Sequence, residues 1–184
     1  MQRYRLAPMS TGIRVLTAVL LLLSAAFLGA VLAGRGVLAV PFVFILAIYA
    51  CVWLGVRPSA FVIHPDALEV VWPLKRRQLS RQSITGVRQI DAKALKAEIG
   101  WGARVGAGGL WGGFGWLWTR RRGIVQMYIS RTDKFVWIEC GNERPWLITP
   151  ERPDEFVREL SQIGAAAAHQ SPVCEVADRS SGEE

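Results

Sequence analysis

Two long apolar stretches occupy the N-terminal third of the chain. No charged residue occurs within residues 15–33 or within residues 37–56. A helix needs about 20 apolar residues, at about 1.5 Å each, to cross a hydrocarbon core of roughly 30 Å. In lipid, backbone N–H and C=O groups must find partners inside the segment, which favours a helix for each stretch. The pattern predicts a transmembrane helical hairpin over residues 15–57, preceded by a short basic segment, residues 1–14.

A cleaved signal peptide is the alternative interpretation of the first stretch. The basic start of the chain, with Arg3, Arg5 and Arg14, is compatible with such a peptide. Its 19 uncharged residues exceed the roughly 7–15 residues of a typical signal-peptide core. The second stretch follows after three residues, which favours the hairpin.

Positive charge predicts the orientation of the hairpin. Three arginines precede the first stretch, Arg35 alone lies between the two stretches, and a group of basic residues follows the second. The positive-inside rule then places both termini in the cytoplasm of a multi-pass protein of the cell membrane.

From residue 58 onward the pattern changes to short segments of β type separated by turn residues. Seven strands are predicted, over residues 61–63, 68–72, 76–80, 85–91, 124–130, 134–140 and 145–148. A helix follows, with Thr149 as N-cap, Pro150 at its first position and an apolar stripe of Phe156, Leu160 and Ile163. We expect one cytoplasmic domain over residues 58–165 and a disordered tail over residues 166–184.

The order of motifs in this domain resembles the membrane-anchored bacterial pleckstrin-homology-like (PH-like) proteins over about residues 57–163. The motifs are R-P-S-A-F-x-I, L-E-V-x-W, I-T-G-V-R, a Gly-rich G-x-x-x-G segment, Y-I-S-R and W-L-I-T-P-E-R-P-D-E-F. The last motif, where a strand runs into the final helix, is the most specific. The resemblance implies an α+β, mainly β fold: a strongly bent barrel closed by a C-terminal helix. It implies no enzymatic activity.

Residues 100–122 form a Gly- and Trp-rich insertion in this domain. Eight glycines lie between positions 100 and 115, the four tryptophans are Trp101, Trp111, Trp116 and Trp118, and Arg120, Arg121 and Arg122 end the segment. One interpretation is a third membrane contact, because tryptophan favours the headgroup level and arginine favours anionic lipid. The other is a long inter-strand loop whose tryptophans cap the barrel core.

Charge is unevenly distributed along the chain. Residues 57–134 carry 14 Lys and Arg against five acidic side chains, whereas residues 135–184 carry four against ten. Anionic headgroups at the cytoplasmic leaflet attract basic side chains, although a solvated face has the same composition. Nucleic acid is not predicted as a partner, because no recognition-helix or zinc-finger spacing is present. The predicted contacts with the membrane surface are Lys75, Arg76, Arg77, Trp116, Trp118, Arg120, Arg121 and Arg122.

Lys75, Arg76 and Arg77 bear on the resemblance. Eukaryotic relatives often bind phosphoinositides through basic residues in an early inter-strand loop, but here the basic residues lie at the second turn rather than the first. The resemblance therefore carries the fold to this chain and not the ligand.

The sequence indicates no catalytic, metal or cofactor site. The three cysteines lie far apart in the chain, the two histidines lie in a turn and in the tail, and no nucleophile-elbow motif occurs. We therefore expect a non-enzymatic membrane protein that presents a PH-like module to a protein, a peptide or anionic lipid. The alternative is an accessory or assembly subunit of a larger membrane complex, recognised through its helical hairpin. A protein partner or a second copy of the chain is compatible with both.

Overall fold

The computed structural model describes residues 2–141 and 143–168. Two helices are long and apolar enough to cross a membrane. The first, α1, spans Thr11–Leu32. The second runs over Gly36–Val56, with a 3-10 turn at Gly36–Leu38, the regular helix α2 at Ala39–Cys51 and a π turn at Val52–Val56. Most of their side chains are exposed to the surroundings, as expected for helices that lipid would cover.

A four-stranded antiparallel sheet, sheet A, contains strands from both sides of the helix pair. Its order is β1 (Gln2–Arg5), β2 (Ala60–Ile63), β3 (Ala67–Val71) and β4 (Arg76–Ser80). The two long helices run in opposite directions, so the end of the second lies near the start of the first. β1 therefore pairs with β2, and Tyr4 lies opposite Phe61. No strand was predicted for β1, although Tyr4 and Leu6 alternate with two arginines in the sequence.

A second sheet, sheet B, has six strands in the order β5-β9-β10-β8-β7-β6. All neighbours are antiparallel except β10 and β8, which are parallel. The strands are β5 (Ile84–Ile90), β6 (Gly102–Gly108), β7 (Gly113–Thr119), β8 (Gly123–Ile129), β9 (Phe135–Cys140) and β10 (Trp146–Ile148). A short helix, α3 (Ala92–Ile99), lies between β5 and β6 in the chain. It follows Asp91 as N-cap and ends at Gly100, whose φ is +69°.

The main core lies between the two sheets. Tyr4, Phe61 and Trp72 of sheet A or its loops belong to the same buried cluster as Tyr128 and Trp146 of sheet B. A second buried cluster lies on the opposite face of sheet B, where Leu95 and Ile99 of α3 cover it. Sheet B is therefore apolar on both faces over much of its area, which gives continuous apolar runs instead of a simple alternation.

The strands form no closed barrel within the described residues, and the prediction of one is wrong. The chain passes from β4 to β5 through a 3-10 turn at Arg81–Ser83, and these two strands do not pair. A single isolated bridge joins Leu6, directly after β1, to Pro150, which follows β10 in the interior of sheet B. The architecture is therefore two packed sheets.

The C-terminal helix, α4, spans Pro153–Ala168 and starts later than predicted. Thr149 and Glu151 are held extended by backbone hydrogen bonds to residues 5–7, so they cannot enter the helix. Phe156 and Leu160 are buried in the main core as expected. The side chain of Ile163 and most of the predicted tail lie outside the described residues.

Candidate functional site

The Gly- and Trp-rich insertion contains an antiparallel β-hairpin and not a loop. β6 and β7 pair along their full length, and residues 109–112 form the turn, here called the hairpin tip. The backbone N–H of Gly109 donates to the carbonyl of Gly112 at 2.9 Å across the turn. Gly112 has φ +154°, and a Cβ there would collide with the Ile129 carbonyl oxygen, so the turn requires glycine.

The hairpin tip packs against the first helix. The hydroxyl of Thr17 donates to the carbonyl of Gly109 and accepts from the backbone N–H of Trp111, both at 3.1 Å. Thr17 is buried, and so is Leu110 beside it in the tip. These bonds satisfy two backbone groups of the tip within the apolar stretch of α1. An aliphatic side chain at position 17 could not form them.

Trp111 connects the hairpin tip to the second helix. Its ring packs edge-to-face against Trp53, with centroids 4.8 Å apart, and against Tyr49 at 6.1 Å. The guanidinium of Arg57 lies over Trp53, 4.4 Å from the ring centroid. Such aromatic pairs each contribute about 0.5–1.5 kcal/mol beyond their buried area. We call Thr17, Tyr49, Trp53 and Trp111 the helix–tip junction.

The two long helices are also joined to each other within the apolar region. The Tyr49 hydroxyl donates to the carbonyl of Leu20 at 2.8 Å and accepts from the hydroxyl of Ser24 at 2.9 Å. Because the same tyrosine contacts Trp111, the helix pair and the hairpin tip form one connected contact.

The end of sheet B that carries the hairpin tip is its helix-proximal end. Ser130, directly after β8, accepts the backbone N–H of Ser10 just before α1. A cavity of about 480 Å³ lies there, between the first turn of α1 and the hairpin, and the side chain of Arg104 is part of its lining. β7 spans seven residues. At about 3.3 Å per residue, its other end lies about 20 Å away.

The turn between β3 and β4 lies beside the last turn of the second helix. The indole N–H of Trp72 donates to the carbonyl of Val56 at 2.8 Å, and the Lys75 ammonium lies 5.0 Å from the centre of the Trp72 ring. Leu74 is 73% exposed at the apex of this turn. Arg76 is also exposed, 3.7 Å from the carboxylate of Glu69. Of the three basic contacts predicted at this turn, Lys75 and Arg76 therefore lie close to the end of the second helix.

Arg77 lies elsewhere, between the two sheets. Its guanidinium donates to the Gln126 side chain at 2.8 Å, lies 3.7 Å from Glu143 and covers the Trp146 ring at 5.1 Å. The side chain therefore joins β4 to sheet B while remaining 45% exposed.

The predicted arginine triplet follows β7 at the helix-distal end. Arg121 donates to the carbonyl of Ala97 at 2.7 Å, and Arg122 pairs with Glu98. Both therefore hold α3 against sheet B, while Arg120 remains exposed.

Trp116 and Trp118 are 45% and 56% exposed. They therefore do not cap the core. Trp118 stacks edge-to-face with Trp101 at 6.5 Å. The predicted contact residues thus lie in three separate places.

Sequence reasoning missed Thr17, Trp111 and Leu74 as contact residues. The alternation of Phe114, Trp116 and Trp118 is a strand signal that could have identified β7 and hence a tip near residue 111. No comparable local signal singles out Thr17, because it is one polar residue in an apolar helix.

The surroundings of Cys140 do not activate its thiol as a nucleophile. Burial raises the pKa of the Cys140 thiol to about 11, and the Glu143 carboxylate acts in the same direction, so the thiol is protonated at neutral pH. Burial and the nearby Glu159 raise the pKa of Tyr4 to about 12. Within residues 2–141 and 143–168, no cluster of three or more His, Cys, Asp and Glu side chains could hold a metal ion.

Of three comparisons with known proteins, one gives a match, to a protein-family model. No curated protein and no solved structure matches the chain. A family model described as "Bacterial PH domain" matches residues 59–163, which include strands β2–β10 and much of α4. The match covers more than half of the chain and leaves β1 and the two long helices outside it. The chain therefore belongs to the bacterial PH domain family.

Proposed function

We propose that this protein is a non-enzymatic membrane protein whose two long helices cross the bilayer and hold a PH-like binding module at the cytoplasmic surface. Membership of the bacterial PH domain family implies a binding module. Both helices have the length and composition of membrane spans. The helix–tip junction is the observation that carries the proposal, because it fixes the module directly on the helix pair.

Tethering at the surface strengthens weak contacts by raising the effective concentration of the module. The turn with Leu74, Lys75 and Arg76 is the part best placed to contact headgroups, because it adjoins the last turn of the second helix. Each cation near an anionic leaflet contributes about 1 kcal/mol. The orientation with both termini inside follows from the single Arg35 between the helices and the many basic residues outside them.

Membrane integration and orientation are tested on the full chain. After lysis we expect the protein to stay with membranes in alkaline carbonate. In a background with the native cysteines replaced by serine, Arg35→Cys should react with a membrane-impermeant maleimide in intact cells, and Leu74→Cys only after permeabilisation. Release into the aqueous fraction, or the reverse labelling pattern, would contradict the proposal.

The headgroup contact is tested with the full chain in nanodiscs. An environment-sensitive dye at Leu74→Cys should report a less polar setting as the fraction of anionic lipid rises, and the response should weaken with salt. Lys75→Glu with Arg76→Glu should abolish it, whereas Arg120→Glu at the helix-distal end should leave it unchanged. Equal effects of both changes would show a general charge effect and not a contact by this turn.

An assembly role through the helix pair is the second candidate. A Cβ at Gly29 would meet nothing within 4 Å, so another helix could approach α1 closely there. If this role dominates, Gly29→Leu should remove partners from gently solubilised complexes, whereas Lys75→Glu with Arg76→Glu should not. Retention of all partners in Gly29→Leu would contradict it.

A further inference from the structure

The exposed apolar side chains of the sheet domain are concentrated at one place. Outside the two long helices, the described residues include six large apolar side chains that are well exposed. Leu74 is one, and the other five share the helix-distal part of sheet B: Trp101, Val105, Trp116, Trp118 and Ile124. Scattered apolar residues are normal on a protein surface, but a contiguous group indicates an interaction site.

Strand register explains why this group is uncovered. Trp116 and Trp118 project from the same face of β7 as Phe114, which packs in the core against sheet A. Val105 lies beside Trp116, and Ile124 lies beside Trp118. Arg77 reaches sheet B at Gln126, next to this group, and sheet A does not cover the rows beyond it. The inner face of sheet B therefore continues past the sheet that covers it.

This uncovered face has an apolar part and a cationic part. The apolar part is a groove of about 310 Å³ lined by Val105, Trp116, Trp118, Ile124 and Arg144, here called the distal groove. It adjoins a polar notch of about 450 Å³, which shares Trp116 and Arg144 and is also lined by Arg77, Gln126 and Glu143.

The two arginines at this surface differ in their partners. The Arg77 charge is offset by Glu143 at 3.7 Å, whereas Arg144 has no acidic partner among the residues that the structure describes. A ligand that brings a carboxylate would supply one, and a basic ligand would be repelled.

We propose that the distal groove binds a peptide segment of a partner protein in which a large apolar side chain stands next to a carboxylate. The apolar side chain packs among Trp116, Trp118 and Ile124, and the carboxylate pairs with Arg144. The position supports a protein ligand, because the groove extends from Trp116 at the middle of β7 to Trp118 near the end opposite the helix–tip junction. The inference rests on one part of the proposed function, namely that the PH-like domain is a binding module.

The test uses the full chain in nanodiscs of zwitterionic lipid and fluorescence anisotropy. The probe is a labelled short peptide of alternating glutamate and leucine with one central tryptophan, and its matched control carries lysine for every glutamate. We expect the acidic peptide to bind at least about tenfold more tightly, the scale of one good interfacial anchor. Trp118→Ala should weaken its binding by about the same factor. Leu74→Ala, which removes a more exposed apolar side chain elsewhere, should have no effect on binding of the peptide.

Charge reversal separates a specific site from general attraction to a basic protein. Arg144→Glu should reverse the preference between the two peptides, whereas Lys75→Glu, with the same change in net charge, should not. Thermal unfolding of each variant controls for loss of fold.

The inference would be overturned by equal binding of both peptides, by no effect of Trp118→Ala, by equal effects of the two charge reversals, or by binding in detergent that disappears in nanodiscs. The last would place the bilayer over the groove. A dimer by light scattering that Trp118→Ala converts to a monomer would instead assign the groove to a second copy. None of these outcomes bears on carbonate extraction or cysteine labelling, so the proposed function is tested separately.

Discussion

Both ends of the β6–β7 hairpin carry tryptophan and glycine, but their environments are opposite. At the tip, Trp111 packs against Trp53 and Tyr49 of the second helix. At the far end, Trp118 contacts Trp101 and is 56% exposed. Tryptophan has a large apolar ring with one polar group, so it suits an intramolecular contact and an interface equally well. Its role at each end is set by what lies opposite it.

The glycines in the two turns on either side of β7 also lie in different surroundings. At the tip, Gly109 has φ +92°, and a Cβ there would also lie 2.7 Å from a terminal methyl group of Leu16 in α1, which would have to shift. At the far end, Gly123 has φ +68° and nothing within 4 Å of a Cβ. There the backbone conformation alone favours glycine. The tip is constrained by tertiary contact, and the far end only by its own turn.

Phe114→Ala should have the largest effect, because it destabilises the packing of β7, the strand that connects the two ends, against sheet A. Phe114 lies in β7 and is fully buried in the main core. We expect a loss of about 3–5 kcal/mol in the free energy of unfolding, because the change leaves a cavity between the sheets. Chemical denaturation of the detergent-solubilised chain measures it. A loss below that of an ordinary surface change would show that the sheets do not pack as described.

Trp111→Ala should loosen the tip while the far end keeps its structure. The change removes two edge-to-face contacts and part of the cover of the helix pair, at a cost of about 2 kcal/mol. Amide exchange should accelerate in residues 106–115, around the hairpin tip, and should stay unchanged in residues 102–104 and 117–119 at the far end. Trp116→Ala is the matched control on the same hairpin. Equal acceleration in both variants would remove the distinction between the ends.

Thr17→Val should weaken the tip through polar groups alone. The side chains are similar in shape, but the variant leaves the Gly109 carbonyl and the Trp111 N–H without their partner, which costs about 1–3 kcal/mol. Thr17→Ser retains the hydroxyl and should recover most of the stability. Thermal unfolding in nanodiscs compares the three chains, and a valine variant as stable as the wild type would show that these bonds contribute little.

Trp118→Ala should change stability least, by no more than about 0.5 kcal/mol, because its ring is mostly exposed. A thermal shift comparable to that of Trp111→Ala would show that the far end is also packed against something in the folded protein. With no such shift, any loss of peptide binding in this variant reports on the distal groove itself.

Local pattern was sufficient for most of sheet A and for the lengths of the long helices. β4 was predicted at its observed bounds, and β3 to within one residue. These segments have clear turn residues and enough apolar positions to show their period. The start of α4 was misplaced although Thr149-Pro150 is a good local start signal. There a backbone pairing with residues 5–7 outweighed helix propensity.

Charge runs were the least informative feature for the candidate site. Lys75, Arg76 and Arg77 are adjacent in sequence, yet of the three only Arg77 contacts sheet B, at Gln126 and Trp146. Arg121 and Arg122 likewise contact α3. The sequence signals of α3 are the N-cap Asp91, the apolar pair Leu95 and Ile99, and the terminal Gly100. A run of like charges does not reveal which member meets a partner, because that partner comes from a distant part of the chain.

The sequence by itself determined the two apolar helices and the positions of most strands, because helix hydrogen bonds close within four residues and strand faces repeat every two. Only the tertiary structure decided that β1 joins sheet A, that the hairpin tip lies on α1 and that Trp118 remains outside the core. Each of these features depends on a contact between segments that lie tens of residues apart in the chain. Whether a side chain is buried there depends on the shape and polarity of the surface opposite it, and not on its own residue type.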